Sequence, residues 1–241
     1  MSDDEAHGGG PKSTAAGGGD GIKPAREARR TIGLAPGAPE AAAGQDAKKY
    51  STSNPVVLRL FNSWAKDLIN ALDLDSTKPD VVVDVGVGEG LALERVIGTN
   101  QPIIGVEYRL DKLSLATRRL PALAGVVADA GMVPLADHSV DLVSSIEVLE
   151  HLTHPELAVA EFARLVKSRT GRVVVSVPWE PWFRLGNLGR GKNIARFGND
   201  PEHVQQFNPK RLGSLLQADF EQVQVKPSFP WLIAVATKPL H

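Results

Sequence analysis

The chain has 241 residues, 42% hydrophobic and 23% charged, with a formal net charge of −1 and no cysteine. That length supports one sizeable core, and the balanced charge creates no global field for nucleic acid or an acidic partner. The lack of cysteine excludes disulfides, thiolate chemistry and a cysteine-ligated metal.

The first residues, "MSDDEAHGGG", are acidic and lack the apolar run of a secretory leader. No apolar stretch approaches the roughly 18 residues that span a bilayer. A soluble, cytoplasmic protein is expected. Residues 1–46 are rich in Gly, Ala and Pro and poor in large apolar residues. Such a segment buries too little surface to offset its ordering entropy, so a disordered tail is expected there. The folded domain is assigned to residues 47–241.

In "NPVVLRLFNSWAKDLINALDL" the apolar residues Val57, Leu58, Leu60, Phe61, Trp64, Leu68, Ile69 and Leu72 recur at helical spacing behind an Asn-Pro start. "PDVVVDVG" is a short β-branched run between Pro79 and Gly86, the pattern of a buried strand. "GLALERVIG" reads as a helix ended by Gly98, and "PIIGVEY" as the second strand. "RLDKLSLATRRL" is helical, with Leu110, Leu113, Ala116 and Leu120 on one face. "AGVVADA" is a third strand, and "VDLVSSIEVLEHL" begins as a fourth before turning into a loop or short helix. "HPELAVAEFARLVKS" is a helix with Leu157, Ala160, Phe162 and Leu165. "GRVVVSVPW" is the fifth strand.

This alternation predicts a doubly wound, mostly parallel sheet with helices on both faces. The rhythm breaks after Trp179 and resumes with "NPKRLGSLLQADF", a helix capped by Asn208 with Pro209 in its first turn. "EQVQVKPSFPWLIAVATKP" then holds two strands too close for a helical crossover. They predict a C-terminal antiparallel hairpin and a seven-stranded sheet.

In "VVVDVGVGEG" the strand runs into Asp84, Gly86, Gly88 and Gly90. Ligands of open α/β sheets bind beyond the C-terminal strand ends, where glycines permit positive φ and close approach. The following helix N-terminus favours an anionic group. A dinucleotide site places its third glycine one residue later, at Leu91, and an oxidoreductase of the Tyr-x-x-x-Lys kind finds no such pair here. Glu107 ends the second strand about 20 residues on, the place for a carboxylate on ribose hydroxyls in either cofactor class.

Together "VVVDVGVGEG", "GVEY", "ADAGMVPLADHSVDLVSSIEVLEHL" and "GRVVVSVP" resemble class I S-adenosylmethionine-dependent methyltransferases, in the branch close to small-molecule methyltransferases. The resemblance covers about residues 50–240. It implies S-adenosyl-L-methionine as cofactor, with Asp84, Gly86, Gly88 and Gly90 lining its methionine part. It implies Glu107 on the ribose hydroxyls, Tyr108 beside the adenine, and Asp129 with Ala130 at the adenine amino group. Glu147 is implied next to the methyl donor. Transfer in this family is an in-line displacement at a sulfonium, for which positioning of two reactants can suffice. A base is needed only where the acceptor must lose a proton, and the candidates are His151 and His203.

Residues 179–207 replace a simple crossover and are expected to form a lid on the acceptor side. Trp179, Trp182 and Phe183 fall close together there, followed by Arg184, Arg190, Lys192 and Arg196. Trp182, Arg184, Arg190 and His203 are the candidate acceptor contacts. The basic residues could hold a phosphate or carboxylate, or, with the aromatics, meet a membrane surface presenting a lipid-linked acceptor. No metal site is expected, because the histidines and acids lack ligand spacing, and no nucleic-acid partner is expected either. A non-catalytic scaffold that keeps the cofactor pocket is the alternative reading.

Overall fold

The computed structural model describes residues 53–180, 182 and 204–240. The expected tail at 1–46 and most of the expected lid at 179–207, including Arg184, Arg190 and His203, lie outside these residues.

Helix α1 (Pro55–Leu72) opens on the predicted cap: the Asn54 side chain accepts from Val56 N–H and Val57 N–H, and Pro55 occupies the first turn. It ends where Asp73 turns left-handed, and the short α2 (Leu74–Thr77) follows. Strands β1 (Val82–Val85), β2 (Ile103–Glu107) and β3 (Leu123–Val127) alternate with α3 (Leu91–Ile97) and α4 (Leu110–Arg119). Strand β4 (Leu142–Ile146), a 3₁₀ turn (Leu149–His151), α5 (Pro155–Leu165) and β5 (Arg172–Pro178) come next. Helix α6 (Pro209–Gln217) and the hairpin β6 (Phe220–Ser228) and β7 (Trp231–Pro239) complete the fold.

The seven strands form one sheet in the order β3-β2-β1-β4-β5-β7-β6. Five strands pair in parallel, and β7 runs antiparallel to both β5 and β6, as the hairpin reading requires. The connection from β3 to β4 uses turns instead of a helix. Strand order reverses between β2-β1 and β1-β4, so the crevice of an open sheet lies beyond the C-terminal ends of β1 and β4.

Side chains alternate across the sheet. Val83, Val143, Val173 and Val175 join one core with Phe162 of α5 and Leu212 and Leu216 of α6. Val82, Leu142 and Val174 join the other with Phe61, Trp64 and Leu68 of α1, Leu93 of α3 and Leu113 of α4. The central strands are buried on both faces, which is why they read as continuous valine runs.

Only some of the apolar residues of α5 are buried. Ala158, Val159, Glu161, Phe162, Ala163 and Leu165 are buried, while Leu157 is exposed and Ala160 is on the solvent side. An ionic contact occupies part of the inward side of this helix. Glu161 accepts from Val133 N–H at 2.6 Å and from the Arg164 guanidinium at 2.7 and 2.8 Å. Arg164 also donates to the Val133 and Leu135 carbonyls and pairs with Asp137. Burial opposes charge on Glu161, yet Arg164 and the Val133 N–H hold its carboxyl below the ordinary range. A charged residue thus faces inward to pin the β3–β4 connection. Leu110 likewise lies outside the buried face of α4, which keeps Leu113 and Ala116.

Phe162 is fully buried between the sheet and α6. Phe162→Ala is expected to lower unfolding free energy by about 3–5 kcal/mol, read as a reduced urea midpoint.

Candidate cofactor site

Sheet pairing runs out at the C-terminal ends of β1 and β2, and a single carboxylate takes up the backbone donors left there. Gly86 N–H and Val87 N–H still reach the Val106 carbonyl, at 2.7 and 3.0 Å. Beyond them, Gly88 N–H donates to Glu107 Oε2 and Arg109 N–H donates to Glu107 Oε1, each at 3.0 Å. Glu107 is only 6% exposed, so its side chain is fixed at the rim of the crevice. The glycine turn and the β2–α4 turn are tied to one another through it. Each carboxylate oxygen has one backbone donor and further acceptor capacity, which suits a vicinal diol.

Gly86, Gly88 and Gly90 all have positive φ, at 84°, 55° and 79°. Gly90 directly precedes α3 as its N-cap. At Gly86 the missing side chain serves packing as well as conformation: a Cβ would lie 2.4 Å from Val148 Cγ2. The sequence reading gave that space to a ligand, but the residue after Glu147 fills it.

Asp84 faces the buried row behind this turn. It pairs in register with Ser144 of β4, whose hydroxyl donates to Asp84 Oδ1 at 2.5 Å. Burial pushes the Asp84 carboxyl up to about 7; the Ser144 hydroxyl works against that rise, and the Glu107 charge adds to it.

Glu147 follows β4 with φ of 57°, uncommon for a non-glycine residue. Its N–H donates to the Ser176 carbonyl at 2.8 Å, and its Oε1 accepts from the Trp231 indole at 3.0 Å. Glu147 is 9% exposed. Asp129 closes a turn after β3 by accepting from Gly131 N–H at 2.8 Å, with half-buried Ala130 beside it. Tyr108 is 71% exposed next to Glu107. The predicted acidic positions thus stand at or just past the C-terminal ends of four successive strands.

His151 lies in the 3₁₀ turn after β4, with Nε2 4.0 Å from Glu150 Oε1. His154 contacts Glu156 at 3.0 Å and belongs to the entry of α5. Val204 N–H and Gln205 N–H both donate to the Glu150 carbonyl, so the returning chain is fastened to the same turn. Half-exposed Trp182 packs edge-on against Trp179 and against Phe229 of the hairpin turn, with ring centres 6.4 and 5.9 Å apart. Ser144, Trp231 and Phe229 were not among the sequence candidates. Ser144 was findable, since a serine pair inside "LVSSI" interrupts a buried strand. The tryptophan and phenylalanine carry no local signal apart from ordinary core composition. Among the described residues no His/Asp/Glu group suits a metal ion, and no helix is long and apolar enough to cross a membrane.

Residues 83–175 match the family described as a methyltransferase domain. A probable S-adenosylmethionine-dependent methyltransferase of Mycobacterium tuberculosis is 28% identical over 195 residues, covering 75% of this chain and 68% of that protein. A demethylmenaquinone methyltransferase of Renibacterium salmoninarum is 28% identical over 138 residues, 57% of each chain. The N-methyltransferase NodS of Bradyrhizobium japonicum, solved with S-adenosylhomocysteine, shares the fold at TM-score 0.58 and 15% identity, over 82% of this chain and 94% of its own. The matched domain and these relatives support a class I S-adenosylmethionine-dependent methyltransferase, and the solved structure supports the fold.

Two outcomes are expected. Gly98 has φ of 89° and ψ of −175°, a region open essentially to glycine alone, with nothing within 4 Å of its would-be Cβ, so Gly98→Ala carries a backbone cost of about 1–3 kcal/mol without a collision. Gly86→Ala adds a collision with stiff Val148, and its destabilisation is expected to be partly relieved by Val148→Ala, which removes both Cγ atoms. Denaturant midpoints of the four variants measure it. The second concerns pH. The folded state holds the Asp84 proton up to about pH 7, whereas the unfolded chain releases it near 3.8. Between those values the native state binds more protons, so this residue's contribution to stability falls as pH rises. Asp84→Asn removes that slope while keeping an acceptor for Ser144. Its stability relative to wild type is expected to rise by about 2 kcal/mol from pH 5 to pH 8.

Proposed function

We propose that this methyltransferase acts on a small acceptor with an apolar body, free or lipid-linked, held at the C-terminal sheet edge beside Glu147. The observation that carries the reading is the aromatic group Trp179, Trp182 and Phe229 at that edge, with Trp182 42% and Phe229 50% exposed. Half-exposed aromatic rings are a common lining of a site for an apolar ligand. Named relatives support the same class: the demethylmenaquinone methyltransferase above, and a ubiquinone biosynthesis O-methyltransferase of Thiobacillus denitrificans, 33% identical over 92 residues.

The roles follow from residue chemistry. Glu107 would accept from the two ribose hydroxyls, and the turn at Gly86, Gly88 and Gly90 would lie along the methionine part. Asp129 and Ala130 would meet the adenine edge, with Tyr108 across its face. Glu147 would border the methyl-bearing sulfur. When bound, the cofactor supplies an electrophilic methyl group on a sulfonium. The protein's share is to hold the acceptor in line with it and keep water out. His151 would take the proton released by an acceptor O–H or N–H. His203, Arg184 and Arg190 are proposed acceptor contacts from the sequence alone.

Calorimetric titration with S-adenosylhomocysteine tests the cofactor half. Glu107→Ala is expected to weaken binding by more than about 1 kcal/mol, the scale of a charged hydrogen bond. Labelled-methyl transfer into cell extract tests the acceptor half. Product counts are expected in the organic phase after solvent partition; counts confined to the aqueous phase would overturn the apolar assignment.

A further inference from the structure

Two buried indoles meet two polar groups beneath the sheet edge. Trp231, the first residue of β7, donates from Nε1 to Glu147 Oε1 at 3.0 Å. Trp64 of α1 donates from Nε1 to Ser176 Oγ at 2.8 Å. The rings stack on each other, with centres 5.3 Å apart and planes tilted by 32°, and Phe61 lies 5.1 Å from Trp231. The Ser176 carbonyl in turn receives the Glu147 N–H. Glu147, Trp231, Trp64 and Ser176 therefore form a closed ring of contacts drawn from the β4 exit, β7, α1 and β5. All four are at most 9% exposed.

Such a ring does more than fill space. A donor buried with its acceptor restricts the acceptor's orientation, since breaking the bond strands both groups away from water. Glu147 also holds a left-handed φ of 57°, a conformation that persists only where surrounding contacts enforce it. Two of the contacts that hold it are the Ser176 carbonyl on its N–H and the Trp231 indole on its carboxylate.

We propose that Trp231 is a positioning residue: its indole N–H fixes the Glu147 carboxylate for cofactor binding. The inference rests on the reading of Glu147 as a cofactor-side residue. Trp64 is the internal control, because it supplies the same indole donor in the same stack without touching the carboxylate.

The experiment uses the full chain and S-adenosylhomocysteine as probe. Trp231→Phe and Trp64→Phe each keep a ring and delete one N–H, and Glu147→Ala deletes the carboxylate. Calorimetry is expected to show Trp231→Phe weakening affinity at least fivefold, Trp64→Phe less than twofold, and Glu147→Ala at least as much as Trp231→Phe. In a double-mutant cycle, Trp231→Phe is expected to add little once Glu147 is alanine. Equal effects of the two tryptophan variants, or additivity in the cycle, would overturn the positioning role while leaving Glu147 at the site. No change on Glu147→Ala would instead overturn the site reading, and the proposal with it. If Trp231→Phe fails to fold, nitrogen-15 spectra of the wild-type protein decide. The Trp231 indole resonance is expected to shift on ligand addition by more than that of Trp64, and its standing still would refute the proposal.

Discussion

Where a parallel sheet ends, its backbone donors lose their partners, and Glu107 is the group that receives two of them. By accepting from Gly88 and Arg109 it fixes the glycine turn relative to β2. The start of α3 and the floor of the crevice follow from that turn. An apolar side chain at position 107 would leave both N–H groups without this acceptor at a partly buried rim. The same carboxylate is thus a structural acceptor and the ribose ligand proposed above, and the two uses are compatible because carboxylate oxygens accept more than one donor. Its charge also reaches Asp84 through the sheet and helps keep that buried acid protonated.

Behind this rim several buried polar groups are held by specific partners, while Ser145 Oγ in β4 has no hydrogen-bond partner among the described residues. Asp84 has Ser144, Glu161 has Arg164 and Val133, and Ser176 has Trp64. Unpaired burial of any of these would cost more than the pairs gain. Their distribution is uneven. Glu161 fastens the loop that carries Asp129, whereas Asp84, Ser144 and Ser176 lie behind the strand ends. Buried polarity here is concentrated where loops must be held in one geometry.

Much of this was legible in the sequence. Valine runs bounded by glycine or proline reveal doubly buried strands because few other environments tolerate them. Asn54-Pro55 and Asn208-Pro209 mark helix starts through side-chain capping, a local effect. The acidic residues after four strands were singled out by the family resemblance, and Glu107 also by its distance from the glycine turn. What was illegible depends on contacts between distant segments. The burial of Glu161 on α5 is one case: it depends on Arg164 and the loop at Val133, which periodicity does not weigh. The use of Gly86 by Val148 likewise requires knowing that the β4 exit crosses the β1 turn. Trp64 and Trp231 look like plain core residues until their N–H partners, 112 and 84 positions away, are known.

The antiparallel direction of β7 bears on how the chain assembles during synthesis. Because β7 enters the sheet from the ligand edge, its first residue, Trp231, meets the carboxylate of Glu147. A nascent chain that has emerged only through β5 has its five parallel strands but not this contact. It also presents the apolar run Arg172–Pro178 as an open sheet border, the kind of surface that pairs with other chains. The arrival of the hairpin closes that border and completes the indole ring in one event. Protection from aggregation and completion of the site therefore become simultaneous, and an interrupted chain would have neither.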